Sequence, residues 1–431
     1  MNVIFFAIVA VAFLAAAGRQ IGWSGDGVSP MAALATGMID AAAGAVTLAI
    51  GLVGLMALFL GLMKVAEEGG LLRIIARVLR PLMVRLFPDV PADHPAMGSM
   101  ILNISANALG LGNAATPFGI RAMQQLNDLN STKGTATNAM ALFLAINTSS
   151  VTLLPTGVIA LRAAAGSADP AGIVPTTLFA TICSTAVAII SAKLLAPRFA
   201  QTAADQTKGQ SEPVALDIPG AVTAEVGADG TEAYPMWVSV TALLAVAALV
   251  PLTVVFGKSI APWIVPGLMV GILTFGVFKR VPVYECFVEG AKDGFNVALR
   301  IIPYLVAILS AVAMFRASGA MEMLIGPLGS VTGLLGLPAE ALPMALLRPL
   351  SGSGAYGILA SIIQNPAIGP DSYVGYLVST FQGSTETTFY VLAVYFGAVG
   401  IRRIRHALFA ALLADVAGIS AAVFIVGLLY G

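Results

Sequence analysis

Residues 134–152 read GTATNAMALFLAINTSSVT, and residues 369–387 read GPDSYVGYLVSTFQGSTET. The two stretches align at a constant offset of 235, and each sets a run of hydroxyl side chains inside an otherwise apolar segment. The correspondence extends in both directions. Val90-Pro91-Ala92-Asp93 resembles Leu337-Pro338-Ala339-Glu340 at an offset of 247, and Leu178-Phe179-Ala180 matches Leu408-Phe409-Ala410 at an offset of 230. A drifting offset is what a duplication with small deletions leaves behind. Two copies, each with a polar break within a hydrophobic span, form the sequence pattern of a secondary transporter, where discontinuous helices from both repeats build the binding site.

Composition places the chain in a bilayer. Hydrophobic residues make up 58% and charged residues 10%, against about 25% charged in a soluble domain. About 20 apolar residues cross a bilayer as a helix. Candidate spans lie at 3–17, 44–63, 139–161, 174–195, 236–256, 260–278, 301–314, 373–399 and 407–429. The expected fold class is an all-α polytopic membrane protein. The earliest basic residue is Arg19, so the first span lacks the basic leader of a signal peptide and reads as a retained helix. A net charge of zero gives no electrostatic case for nucleic acid. Cys183 and Cys286 lack metal-ligand spacing. His94 and His406 have no Cys or His companions and read as surface or interfacial residues. The reading expects no metal or organic cofactor, and the one ion it admits is a coupling Na+ or H+.

The chain divides into a first membrane repeat at 1–197, a linker at 198–234 and a second repeat at 235–431. The linker holds Asp205, Glu212, Asp217, Glu225, Asp229 and Glu232 against Lys208, with no apolar periodicity, as in a flexible segment outside the bilayer. After it, 236–256 is an added crossing with no counterpart ahead of the first repeat. One extra crossing turns the second copy over. Charge agrees with that inversion. Arg73, Arg77, Arg80 and Arg85 follow the 44–63 span, whereas the matching segment 320–337 contains no Lys or Arg. The positive-inside rule puts the first segment in the cytoplasm and the second outside.

The stretches between spans carry their own signals. Residues 71–87 alternate arginines with Leu, Ile and Val, as in a helix lying at the interface. Residues 94–126 are apolar but interrupted by Asn103, Asn107, Asn113 and Gly110-Leu111-Gly112. Irregular backbone at membrane depth must be buried in protein or line a cavity. The segment therefore reads as a re-entrant helical hairpin with its tip at 110–117. Its counterpart is 343–364, with the tip at Ser351-Gly352-Ser353-Gly354. The chain contains no GxxxxGKS/T pattern, so this glycine-rich run is not a phosphate loop.

Several of these motifs resemble known sequences. KVAEEGG (64–70), VPADHPAMG (90–98) and GLGNAATP (110–117) resemble the bacterial spore-maturation protein A family, and RPLSGSG (348–354) and GSTETTFY (383–390) resemble the spore-maturation protein B family. The resemblance covers nearly the whole chain except the linker. Both families belong to the nucleoside-recognition, or Gate, group, which is similar to concentrative nucleoside transporters and to the membrane part of ferrous-iron transporters. The two families are normally separate chains and are fused here. The resemblance implies inverted repeats with re-entrant hairpins and broken helices in a bacterial inner membrane.

The polar breaks suggest two sites. Asn147, Thr148, Ser149, Ser150 and Thr152, with Asn113 and Thr116 from the first hairpin, offer neutral oxygens suited to a desolvated Na+ ion. The alternative is that these hydroxyls satisfy carbonyls of their own turn and only bend the helix. The second set is Arg348, Ser351, Ser353, Ser384, Thr385, Glu386, Thr387 and Thr388, a candidate solute site. Glu386 stands where the first copy has Val151. A membrane carboxylate is tolerated with a partner or a purpose, so Glu386 reads either as a solute- or proton-binding group or as half of a structural ion pair with Arg348. Asp415, in the last span, is a further relay candidate. Tyr356, Phe389 and Tyr390 offer aromatic faces for a nucleoside base. Two functions stand: a transporter of a small polar solute coupled to Na+ or H+, and a non-transporting membrane scaffold of the spore-maturation type. An intramembrane enzyme ranks last, because the chain holds no HExxH or GxSxG motif. The partners admitted are the lipid bilayer, a small polar solute and a second copy of the chain.

Overall fold

Ser29 Oγ accepts from Ala32 N at 3.3 Å, and Pro30 takes the first helical position, so the chain enters a helix of 39 residues there. The computed structural model describes residues 2–25, 27–110, 112–199, 234–321, 323, 329 and 332–431. The first half runs α1 (Asn2–Ile21), α2 (Pro30–Glu68), α3 (Leu71–Leu86), α4 (Pro95–Ala108), α5 (Gly112–Asp128), α6 (Asn138–Thr148), α7 (Thr156–Ala164) and α8 (Ile173–Leu195). The second runs α9 (Met236–Phe278), α10 (Val283–Ala317), α11 (Leu342–Leu347), α12 (Gly352–Ile363), α13 (Tyr373–Ser384), α14 (Thr388–Gly397) and α15 (Ala407–Tyr430). The protein is an all-α polytopic membrane protein. Among the described residues, α2, the run 170–199 that contains α8, and α15 are long and apolar enough to cross a bilayer. Nearly all of the linker, residues 200–233, lies outside the described residues.

Helices in equivalent positions of the two halves pack against each other in opposite directions. Along α2 and α10, a Cβ on Gly294 would meet Ala57 Cα at 2.6 Å, one on Gly290 would meet Leu60 O at 2.5 Å, and at the far end one on Gly37 would meet Ala317 Cβ at 3.7 Å. Small residues let the two backbones approach this closely, the packing mode that replaces the hydrophobic drive inside a membrane. Along α8 and α15, Tyr430 OH donates to Gly172 O (2.9 Å), Ser184 Oγ to Ala414 O (2.8 Å) and Ser191 Oγ to Ala410 O (3.5 Å). The broken pairs α6–α7 and α13–α14 also run antiparallel. The end of α7 bonds to the start of α13 through Arg162 and Pro370 O (2.6 Å), and the end of the second pair returns to the start of the first through Ala136 N and Arg403 O (2.9 Å). The two largest apolar clusters among the described residues each mix the halves. Val158 to Leu161 of α7 pack with Tyr376 to Phe381 of α13, and α6 packs with Tyr395 and Phe396 of α14.

Three expectations change. The spans expected at 236–256 and 260–278 are one helix of 43 residues, since Gly257, Lys258 and Ser259 continue the helical backbone. Such a helix is about 65 Å long, twice the ~30 Å hydrocarbon core, so the added crossing is not a separate element. The first hairpin bends at the first residue of the expected tip, which is shorter than 110–117. Gly110 takes the left-handed conformation (φ 75°) that closes the turn, and the chain is helical again from Gly112, which places Asn113 and Thr116 on α5 and not at the tip. His406 is fully buried rather than interfacial. It packs on Phe199 (ring centroids 6.1 Å), and burial, reinforced by Arg405, pushes its imidazole down to about 4. The second hairpin turns at 348–351, between α11 and α12, so of the expected tip only Ser351 lies in the turn and Gly352 to Gly354 begin α12; α3 leaves Arg73, Arg77 and Arg85 exposed.

Candidate functional site

Two unwound segments meet. Helix α6 stops at Thr148 and α7 begins at Thr156, while α13 stops at Ser384 and α14 begins at Thr388. Thr385 is extended (φ −134°, ψ 151°), so the second segment leaves the helical path at once. Glu386 N then donates to Thr148 O at 3.0 Å, joining the second break to the end of α6. Each hairpin supports the break of its own half by the same kind of bond. Leu153 N donates to Ala108 O (2.9 Å) and Phe389 N to Pro349 O (3.1 Å). These are backbone groups freed by the breaks, and buried backbone groups need partners.

At the first break the hydroxyls turn back on their own segment. Thr148 Oγ1 donates to Ala145 O (2.9 Å), Ser149 Oγ to Ala145 O (2.8 Å), Ser150 Oγ to Ile146 O (3.1 Å) and Thr152 Oγ1 to Ser150 O (3.2 Å). Thr185 of α8 donates to Ser149 O. A hydroxyl that donates keeps lone pairs for a cation, but Asn147 has none to spare. Its Oδ1 accepts from Asn107 Nδ2 (3.0 Å) and Tyr395 OH (3.3 Å). Asn103 Nδ2 also reaches Tyr395 OH (3.1 Å) and Ala115 O (2.7 Å). Tyr395 thus ties the first hairpin and α6 to α14 of the other half, a role no sequence signal pointed to. Thr116 lies half-buried on α5, and the side chain of Asn113 is outside the described residues. Tyr395→Phe should leave Asn103 and Asn147 short of a partner and lower stability by about 1–3 kcal/mol. Thermal unfolding in detergent beside the wild type measures this.

The second break is charged. Arg348, 4% exposed, follows α11 at the hairpin tip. Its Nη1 donates to Thr387 Oγ1 (2.9 Å) and its Nη2 to Gln382 O (3.2 Å). Glu386 Oε2 lies 3.6 Å from Nη2, and the Glu386 side chain is 52% exposed. The arginine is therefore fixed mainly by the unwound chain, and the carboxylate projects away from it. At membrane depth such a carboxylate needs a water-filled cavity or protein to face. Phe389 and Tyr390 are exposed beside it in sequence. Ser351 caps α12 by accepting from Gly354 N (3.0 Å), and Ser353 is exposed. Ser384 and Thr385 both donate to Phe381 O at 3.4 Å, whereas Thr388 Oγ1 reaches Asp415 Oδ2 of α15 at 2.7 Å. The expected set thus separates: Arg348, Glu386 and Thr387 come together, Ser384 and Thr385 face their own helix, and Ser351 holds the hairpin.

One cluster went unnoticed in the sequence. Arg162, at the end of α7, is fully buried. Its Nη1 donates to Pro370 O and to Ser379 Oγ (3.3 Å), and its Nη2 to Ser167 Oγ (3.2 Å), Asp169 O (3.1 Å) and Asp371 Oδ1 (2.9 Å). Its guanidinium stands 4.2 Å from the Tyr376 ring centroid, and Tyr376 stacks on Tyr430 at 3.7 Å. Asp169 lies in the loop beside it, where burial pushes its carboxyl up despite the arginine. This latch closes one end of the molecule between the halves.

Residues 49–165 and 298–402, just over half of the chain, match the family described as Gate, nucleoside recognition. Spore maturation protein B of Bacillus subtilis (strain 168) is 49% identical over 167 residues, which cover 39% of this chain and 93% of that protein. Spore maturation protein A of the same organism is 51% identical over 146 residues, 34% of this chain and 74% of that protein. No solved structure matches the chain.

Proposed function

This chain belongs to the nucleoside-recognition Gate family and joins its spore-maturation A and B branches in one polypeptide, and from that premise we propose that it is a secondary transporter of a small polar solute, nucleoside-like in chemistry. The observation that carries the reading is the meeting of the two breaks, Glu386 N on Thr148 O at 3.0 Å, with a half-exposed carboxylate projecting beside a buried arginine. A structural element has no need to leave that carboxylate open. The solute binds at Glu386, Arg348 and Thr387, with Phe389 and Tyr390 offering faces for a base, and Na+ or H+ drives its movement. The hydroxyls around 147–152 are the Na+ candidate.

The two halves are inverted repeats in a bacterial inner membrane. Support comes from the antiparallel pairing of α2 with α10, of α8 with α15 and of the two broken pairs, which a two-fold axis in the membrane plane generates. Basic residues at 73–85 then face the cytoplasm. External thiol labelling should mark Ser330→Cys and spare Thr207→Cys; equal labelling of both would sink the inversion.

A second reading, a non-transporting scaffold, draws on the first break, where every hydroxyl donates to its own segment or to a neighbouring carbonyl. A ligand-stabilisation screen separates the two. Purified protein is heated with a panel of nucleosides, with and without Na+. A transporter is stabilised by at least one class of nucleoside, and a scaffold by none.

A further inference from the structure

The position on α15 that looks onto the second break has a counterpart on α8, 230 residues earlier, that looks onto the first. On α8 it is Thr185, whose hydroxyl donates to Ser149 O. On α15 it is Asp415, which accepts from the Thr388 hydroxyl at 2.7 Å. The same place in the two halves thus holds a neutral donor in one and an ionisable acceptor in the other.

Asp415 is 2% exposed, and its second oxygen, Oδ1, is buried with no hydrogen-bond partner among the described residues. The elements packed on α15 explain why. From α8 come Ser184, whose hydroxyl is spent on Ala414 O, and Thr185, spent on Ser149 O. From the second break comes Thr385, whose methyl crowds Gly418 (3.0 Å from a Cβ there). Apolar side chains of α6 pack with Ala410, Ala411 and Ala414 of α15. Among the described residues, Thr388 is the group that hydrogen-bonds the carboxyl. Arg348 is already bonded to Thr387 and Gln382 and forms no ion pair with Asp415. His406, on the same element, is more than two turns away at the helix start. A buried carboxylate held by one hydrogen bond is costly, and it is tolerated when it takes up a proton.

We propose that Asp415 is a proton-binding site attached to the second break. The proton comes from water and adds to a carboxylate oxygen, forming an O–H bond, and returns to water on release; no electrons move. Thr388 is the first residue of α14, and seven residues on Tyr395 bonds to Asn147 and Asn103 of the first half. A charge at Asp415 holds Thr388 as its donor. A proton there turns that charge-assisted bond into a weaker one to a neutral carboxyl and loosens one end of a ten-residue helix whose other part holds the first break. The inference rests on the transport reading only for what the proton would drive, since the binding site itself needs no solute.

The test is difference infrared spectroscopy of the purified full-length protein, stepped from mildly acid to mildly alkaline pH without added solute. The wild type should show a protonated-carboxyl C=O band that disappears as pH rises and is missing from Asp415→Asn. Glu386→Gln should retain it. In Thr388→Val, which removes the donor to the charged form, the band should persist to more alkaline pH. Should Asp415→Asn fail to fold, the Thr388→Val shift decides. A wild-type spectrum with no titrating carboxyl band, a band unchanged in Asp415→Asn, or a Thr388→Val profile identical to the wild type would overturn the proposal. Because no solute is present, a silent transport assay leaves this result standing, and a missing band leaves the solute site to be judged on its own test.

Discussion

Glu386→Gln is expected to leave the protein folded and to weaken solute binding about 10- to 100-fold. The stability side follows from exposure. The Glu386 side chain is half exposed, and the closest approach to Arg348 is 3.6 Å, so the pair contributes about 0–1 kcal/mol, as exposed pairs do. Arg348 keeps its bonds to Thr387 and Gln382 in the variant. A tight structural clamp would instead leave a buried charge unpaired, at about 3–5 kcal/mol. The binding side follows from the carboxylate's position: a charge-assisted hydrogen bond to a solute hydroxyl or amide contributes about 1.5–3 kcal/mol. Adding Arg348→Met to Glu386→Gln distinguishes the two roles. If Glu386 is a clamp, the double variant regains stability and activity together. In the present account it regains neither, because Met leaves Gln382 O and Thr387 Oγ1 without their donor. Thermal unfolding with and without solute reads both quantities.

Arg162→Met is expected to cost about 3–5 kcal/mol, the range for removing one partner of a buried, hydrogen-bonded charge. Arg162 has no exposed surface and serves Pro370 O, Ser379, Ser167, Asp169 O and Asp371 at once. Arg162→Lys should rescue little, because an ammonium cannot reproduce the planar fork or its stacking on Tyr376. Asp371→Asn should cost less, since that side chain is 35% exposed and the four other acceptors remain. A double-mutant cycle on Arg162 and Asp371, followed by unfolding in detergent, isolates their coupling. Additive effects would show that the latch is held by the backbone acceptors rather than by the ion pair.

The membrane class, the duplication, both breaks and both hairpins were legible in the sequence, because each rests on local chemistry: apolar runs, hydroxyl clusters and glycine turns. The expected tip of the first hairpin, 110–117, includes the bend but runs on into α5, because Gly110 and Gly112 are equally able to adopt a positive φ, and packing chooses Gly110 (a Cβ there would meet Leu154 O at 2.4 Å). Helix α9 was divided because two apolar spans of crossing length invite a turn between them, and periodicity does not reveal whether three linking residues stay helical. The Arg162 latch was hidden for a different reason. Its partners at Pro370 and Asp371 lie more than 200 residues away, and an arginine near a span end reads as a surface charge. Tyr395 was hidden in the same way, as an aromatic in an apolar run whose partners belong to the other half. Within the site, residue types located Arg348 and Glu386 correctly as neighbours. Only the geometry showed that the arginine is spent on the unwound chain and the carboxylate is left open.

The most direct measurement is uptake of labelled nucleosides into proteoliposomes carrying the full chain, under an imposed Na+ or pH gradient, with Glu386→Gln alongside. The account predicts saturable, gradient-dependent uptake of at least one nucleoside by the wild type and its loss in the variant, which inserts at the same density. Uptake no greater than that of empty liposomes for every nucleoside and both gradients, or equal uptake by wild type and Glu386→Gln, would contradict it.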